Sequence, residues 1–473
     1  MNGAVDLQLD APELTLDAAG DARVRRSVLP SGLRVLTEAM PGSRSATVGF
    51  WVGVGSRDEH GDDDPALPGT YGSTHFLEHL LFKGTATRTA LDIATAFDAV
   101  GGEHNAMTAK EYTCYYARVQ DRDLDMAVDV LADMLTASRI DPDEFENERG
   151  VILEELAMAG DDPADAASER FFDAVFGAHP LGRPIGGTRY SIGRASRDAV
   201  VTHFRARYRP SELVVTAAGA VDHEALVARV TAALAAGGWD LETQARPAPR
   251  RLDTEAALVR GADVSVEDRP IEQVNLLLGV PGPTATDPRR PTLNVLNAIY
   301  GGGMSSRLFQ EVRERRGLAY AVHSLAPGYS DAGVFGAFAA CQPANAATVA
   351  ELVVAELGRI AEEGVSAADL ARARGQLGGG AALALEDSDT RMSRLGRAEL
   401  THGEFVDLDE ALRRIARVTA DDVRTLAADL RDRPWSIAAV GAVDPESLRG
   451  IADGIRTATT ESPRPPAPTE GTP

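Results

Sequence analysis

The chain repeats itself, and the repeat limits the fold more than any other feature of the sequence. "AGAVDHEAL" at residues 218–226 returns as "VGAVDPESL" at 440–448, an offset of 222. "DPDEFENERG" at 141–150 returns as "SAADLARARG" at 366–375, an offset of 225 that sets Phe145 on Leu370, Arg149 on Arg374 and Gly150 on Gly375. A chain of 473 residues is too long for one ordinary core, and two α/β units of about 220 residues account for it. The expected domains are 23–236 and 265–456, separated by a Pro/Arg-rich linker over 237–264. Residues 1–22 read as a flexible acidic arm, and 457–473 as a disordered Pro-rich tail.

Local signals fill in the first unit. "RSVLPSGLRVLTEAM" is two apolar runs around Pro30-Ser31-Gly32, a hairpin, and "SATVGFWVGVGS" continues as a buried strand. Beyond an acidic loop, Phe76, Leu77, Leu80 and Leu81 recur at helical spacing. "EYTCYYARV" is strand-like, and "DLDMAVDVLADMLTAS" is an amphipathic helix. A further helix is expected to start at Asp141 as N-cap, with Pro142 in its first position and Glu144 completing a capping box.

The apolar helix of "YGSTHFLEHLLFKGT" carries His75, Glu78 and His79. Residues i and i+4 stand on one helix face, so both imidazoles can address one Zn²⁺, while Glu78 lies beside them without being a ligand. This H-x-x-E-H order is an inverzincin signature. Zinc makes water acidic and polarises a carbonyl, and a neighbouring carboxylate can take and pass on the proton. The repeat isolates these groups: at offset 218 they face Leu293, Leu296 and Asn297 in the second unit. A duplicated fold needs its apolar positions twice but its ligands only once. A catalytic zinc also needs a third ligand, and "ENERGVILEEL" offers Glu146, Glu148, Glu154 and Glu155. Glu148 and Glu155, seven apart, share a face; spacing does not choose between them.

The formal charge of −23 disfavours nucleic acid and anionic membrane, and it favours cationic ligands such as basic peptides. The acidic loop Asp58–Asp64 points the same way. Cys114 and Cys341 are the only cysteines, too few for a disulfide framework, so a reducing compartment is expected. The N-terminus lacks the apolar core of a secretory signal, and no run reaches the ~18 apolar residues of a spanning helix. The expectation is a cytoplasmic protein.

Taken together, "HFLEHLLFKGT", "GGEHNAMTAKEYTCYYARV", "ERGVILEELAM", "HPLGRPIGGT" and "GGGMSSRLFQEVRERRGLAYAVHS" resemble the zinc peptidase family of pitrilysin, insulysin and the mitochondrial processing peptidase. The resemblance spans roughly residues 26–455 and is closest to the short-chain, processing-peptidase-like branch. It implies an α+β fold in which each domain is a mainly antiparallel sheet packed with helices, the chain forming half of a clamshell. It implies a metalloendopeptidase holding one Zn²⁺ through His75, His79 and Glu155, the last lying 76 residues beyond His79, with Glu78 as general base. Glu148 matches a supporting glutamate that does not ligate. Asn105, Ala106 and Thr108 match the segment entering an edge strand that pairs with extended substrate. Glu111, in the same segment, reads equally as a surface charge. Arg313 and Tyr320 match a pair that reaches the reacting carbonyl from the facing lobe and can stabilise an oxyanion. His104 departs from the pattern, which has an apolar or small residue there; it packs on the strand or adds a titrating group. The implied partners are a peptide substrate and a second chain, as a homodimer or a heterodimer with an inactive homologue. The rival reading is a non-catalytic scaffold or partner subunit.

Overall fold

In "SATVGFWV" nearly every residue is buried, so both faces of that strand must be covered, and the way they are covered organises the molecule. The computed structural model describes residues 3–18, 22–61, 69–251, 256 and 260–452. Its first half contains β1 (Ala4–Asp6), β2 (Glu13–Asp17), β3 (Arg23–Val28), β4 (Arg34–Ala39), β5 (Ser45–Val52), β6 (Glu103–Thr108), β7 (Thr113–Gln120) and β8 (Leu213–Gly219). The second contains β9 (Val264–Glu267), β10 (Val274–Pro281), β11 (Ala319–Leu325), β12 (Val334–Cys341), β13 (Glu404–Val406) and β14 (Ser436–Val440).

The larger sheets have the orders β2-β3-β4-β8-β5-β7-β6 and β11-β12-β10-β14-β9. Read from the shared edge, β6-β7-β5-β8-β4 and β11-β12-β10-β14-β9 are the same arrangement. Each has one parallel pair, β4 with β8 and β9 with β14. The duplication read from two short sequence matches is therefore a duplication of sheet topology.

One face of β5 presents Ala46, Val48, Phe50 and Val52 to the helix Leu124–Ala137 and its neighbours. The other face, through Trp51, packs on Met392 and Leu395 of the helix Ser388–Arg397, which belongs to the second half. In return the helix Pro163–Phe176 of the first half lays Ala167, Phe171 and Val175 on Leu277, Val334, Ala438 and Val440 of the second sheet. The two exchanged helices start 225 residues apart, the offset of the repeat. Contact is close enough that a Cβ on Gly396 would stand 2.4 Å from Trp51 Cε2, so only glycine fits there. Each buried large apolar side chain on these faces contributes about 1.5–3 kcal/mol.

Two expectations need correction. The segment 1–22 is not a flexible arm over its described part: β2 extends the first sheet beside β3, β1 pairs with β13 of the second half, and Leu7 is buried. The alternation in "ELTLD" (Leu14 and Leu16 inward) is the reason. At the helix Pro142–Asp161, Asp141 caps alone, through the Asp143 N–H at 2.9 Å, and Glu144 closes no capping box. The tail at 457–473 lies outside the described residues.

Candidate metal centre

His75, Glu78 and His79 lie on the helix Ser73–Leu81, held down by Phe76, Leu77, Leu80 and Leu81, all fully buried. Phe76 stacks on Phe145 with ring centroids 4.4 Å apart and planes 4° from parallel. That stack docks the helix Pro142–Asp161 against the first, and Ile152, also buried, continues the same face. The face shared by Phe145, Glu148, Ile152 and Glu155 is thereby turned toward the imidazoles.

This sorts the four glutamates that spacing left open. Glu146 is engaged by Arg149 at the surface, and Glu154 is exposed. Glu155 Oε2 lies 3.8 Å from His75 Nε2 and 3.4 Å from His79 Nε2. Glu148, buried, accepts from His79 Nδ1 at 3.0 Å and from Lys83 Nζ at 2.7 Å. A carboxylate acceptor at Nδ1 selects, for a neutral His79, the tautomer with its proton on Nδ1 and its lone pair on Nε2.

The donor set fits a tetrahedral metal. Bonds of about 2.0–2.1 Å place neighbouring donors roughly 3.3 Å apart, and the two separations from Glu155 Oε2, 3.4 and 3.8 Å, lie within a few tenths of an ångström of that. The three ligand atoms all lie within 4.8 Å of one another. Burial first, and then His79, push His75 toward its neutral form, which is the form a metal needs. His75 Nδ1 is buried and has no hydrogen-bond partner among the described residues. Glu155 is about half exposed, so the site is open on one side.

Glu78 receives a 2.6 Å hydrogen bond from Thr108 Oγ1. Thr108 thus reaches the expected base with its side chain, rather than only lending backbone to a strand. It lies on β6 with Asn105 and Ala106; among the described residues β6 pairs with β7 alone and ends the sheet. Asn105 Oδ1 accepts from the Ala106 N–H at 2.9 Å.

Arg313 sits on a π-helical turn, Phe309–Glu314, with its guanidinium 4.8 Å from the Tyr320 ring centroid and 4.7 Å from that of Phe309. Tyr320 is 76% exposed. The pair is assembled, but among the described residues no hydrogen bond, ion pair or ring contact joins it to the imidazoles.

His104 stacks on Phe97 at 4.3 Å and 15°, and burial lowers its pKa. From β6 its ring packs on the helix Ala90–Asp98 through Phe97. Replacing it by Leu is expected to leave the pH–rate profile unchanged between about pH 5 and 8; a displaced limb in the His104→Leu profile would contradict this. Glu111 is not a surface charge: buried, it accepts from Ser330 Oγ at 2.6 Å and Arg57 Nη1 at 2.6 Å, while Arg57 also grips Asp331 of the second half. The acidic loop is less available to cationic ligands than its sequence suggests. Asp58 is clamped by Arg251 at 2.6 and 2.7 Å, Glu59 is buried, and residues 62–64 lie outside the described set. Within that loop little sets Glu59 apart from the neighbouring aspartates. Its one signal is Gly72, a residue without a capping side chain at the start of a helix.

Two copies of one sheet, with a three-donor cluster found, among the described residues, in one copy only, define a duplicated fold with a candidate metal site. Residues 34–189 match the model of the insulinase family, peptidase family M16, and 194–377 that of the peptidase M16 inactive domain. The chain is 47% identical over 436 residues to an "uncharacterized zinc protease" of Streptomyces coelicolor, covering 92% of this chain and 93% of that protein. A protein of the same description from Bacillus subtilis is 34% identical over 417 residues, 88% of this chain and 98% of that protein. The crystal structure of a protease from Helicobacter pylori superposes with TM-score 0.77 at 20% identity, covering 89% of this chain and 99% of that one. The chain belongs to peptidase family M16, whose members use zinc. Among its described residues no helix is long and apolar enough to cross a membrane.

Proposed function

We propose that the chain is a cytoplasmic zinc metalloendopeptidase that cuts extended peptides or unfolded segments, with His75, His79 and Glu155 as the ligands. The observation that carries this reading is the convergence of the two imidazole Nε2 atoms and Glu155 Oε2 beside Glu78. The matching positions of the second half hold Leu293, Leu296, Asn297 and Gly380. When bound, zinc supplies the Lewis acidity that polarises a carbonyl and acidifies water. Thr108 holds one oxygen of Glu78, leaving Oε1 to take a proton from the attacking water and hand it to the leaving amine. β6 offers a free edge on which peptide backbone can add as a further strand beside Asn105 and Ala106. Glu148 keeps His79 in the tautomer that presents Nε2. Arg313 and Tyr320 are donors to the oxyanion, supplied from the facing lobe of a second copy in a homodimer.

The test uses purified full-length protein with an Arg-rich and a neutral peptide of equal length. Internal cleavage, its loss to a chelator and its return with zinc are expected. A chain that retains no divalent ion and cuts neither peptide is a scaffold or partner subunit instead. Equal rates on both peptides, insensitive to salt, remove the preference for basic substrates. Light scattering that finds a fully active monomer removes the dimer.

A further inference from the structure

The helix that carries His75, Glu78 and His79 has only nine residues, and its N-cap is Gly72, at φ +88° with no side chain to offer. Helices this short are marginal, and their first N–H groups need partners from elsewhere. Ser73 N–H finds the Thr70 carbonyl at 2.8 Å. Two more are met by one remote side chain: Gly72 N–H donates to Glu59 Oε2 at 2.8 Å, and Thr74 N–H to Glu59 Oε1 at 2.8 Å. Glu59 is buried, thirteen residues before Gly72. A carboxylate there also suits the positive end of the helix dipole.

The backbone of Glu59 is itself fixed. Arg183, from "HPLGRPIGGT", donates to the carbonyls of Arg57 and Glu59 at 3.0 and 2.9 Å, with its guanidinium 4.7 Å from the Tyr71 ring centroid. The same loop brings the Gly186 carbonyl so near that a Cβ on Gly72 would stand 3.0 Å from its oxygen. On the other side of the first turn, Thr74 Oγ1 shares a 3.1 Å hydrogen bond with His203 Nε2. Burial disfavours charge here and pushes the Glu59 carboxyl up to about 7, while the two N–H donors and Arg183 pull against that rise.

We propose that Glu59 is a positioning residue for the metal centre: its paired bonds to Gly72 and Thr74 set the rotation and register of the helix that presents His75, Glu78 and His79. The leverage is geometric. At a side-chain tip about 5–6 Å from a helix axis, a rotation of about 20° moves a donor by about 2 Å. Metal sites hold their distances to roughly 0.2 Å. The two imidazoles share this helix, whereas Glu155 comes from another, so any rotation opens the trio. The inference rests on the reading of these three residues as zinc ligands.

Glu59→Gln tests it with the shape almost unchanged. An amide can accept from one N–H but turns its own NH₂ toward the other, so one of the two bonds is lost. Zinc affinity of the folded, full-length variant, measured by competition with a chromophoric chelator, is expected to fall by about 10–100-fold, as for outer-shell partners generally. A merely structural role would lower the unfolding midpoint of the metal-free protein and leave that affinity alone. Wild-type affinity in folded Glu59→Gln overturns the proposal. If that variant does not fold, Glu59→Asp, which keeps the charge but shortens the reach, is read in the same titration; weakened zinc binding supports the proposal and wild-type affinity overturns it. His79→Ala runs alongside: if it binds zinc as tightly as wild type, the ligand assignment has failed, and the effect of Glu59 is then not one on these ligands.

Discussion

Glu78→Gln is expected to retain zinc and lose peptide hydrolysis by about 10²–10⁴-fold, the range for removing a general base. The substitution keeps the volume of the side chain and its acceptor oxygen, so the Thr108 hydroxyl at 2.6 Å still has a partner. What disappears is the site that binds a proton. Glu78 is not within the three-donor cluster, so metal content per chain should match wild type. Metal analysis and single-turnover rates on one peptide, measured in parallel, separate the two properties. Loss of zinc in the variant would assign Glu78 a ligand's role, and full activity with zinc retained would remove it as the base.

Glu399→Ala is expected to damage the fold rather than the site. Glu399 is completely buried and accepts from Arg26 Nε at 2.9 Å and Nη2 at 3.1 Å, from Arg250 Nη2 at 2.9 Å and, more loosely, from Arg34 Nη1 at 3.4 Å. Removing it leaves three guanidinium groups in a low-dielectric seam without a counter-charge. Burial and the neighbouring Arg250 and Arg26 already lower the pKa of Arg34, with Glu399 opposing them. Breaking a buried ion cluster from one side costs about 3–5 kcal/mol. The cluster ties β3 and β4 to the linker at Arg250 and to the second half, and its arginines also hold the carbonyls of Ala11 and Leu7 at 2.9 and 2.6 Å. Urea unfolding should therefore shift to lower denaturant for the whole chain, while zinc bound per folded molecule stays the same. An unshifted midpoint would mean that the seam tolerates the charges.

The contrast between these variants follows what the sequence could and could not carry. The metal helix, the hairpin at 23–39, the Asp141 cap and the duplication were all written in local periodicity and spacing. Glu148 and Glu155 were placed on one face by the same arithmetic, but their separate contacts depended on packing: Phe145 on Phe76 aims that face, and Lys83 claims Glu148. Glu399 gave no signal at all, because a buried and a solvated glutamate have the same letter, and its three partners are 149 to 373 residues away. Glu59 was hidden among the aspartates of an acidic loop. The exchanged helices were unreadable for another reason: an apolar stripe looks the same whichever sheet it covers.

That exchange bears on how such a chain can be taken apart. A fragment ending at the linker would keep its zinc cluster yet leave Trp51 and the rest of the outer β5 face bare to water, with Phe171 and Val175 stranded on a helix that has lost its seat. Neither piece is expected to fold on its own. Co-expressed halves are expected to recover one another as a non-covalent pair, each supplying the helix that covers the other's sheet, and either half alone is expected to precipitate.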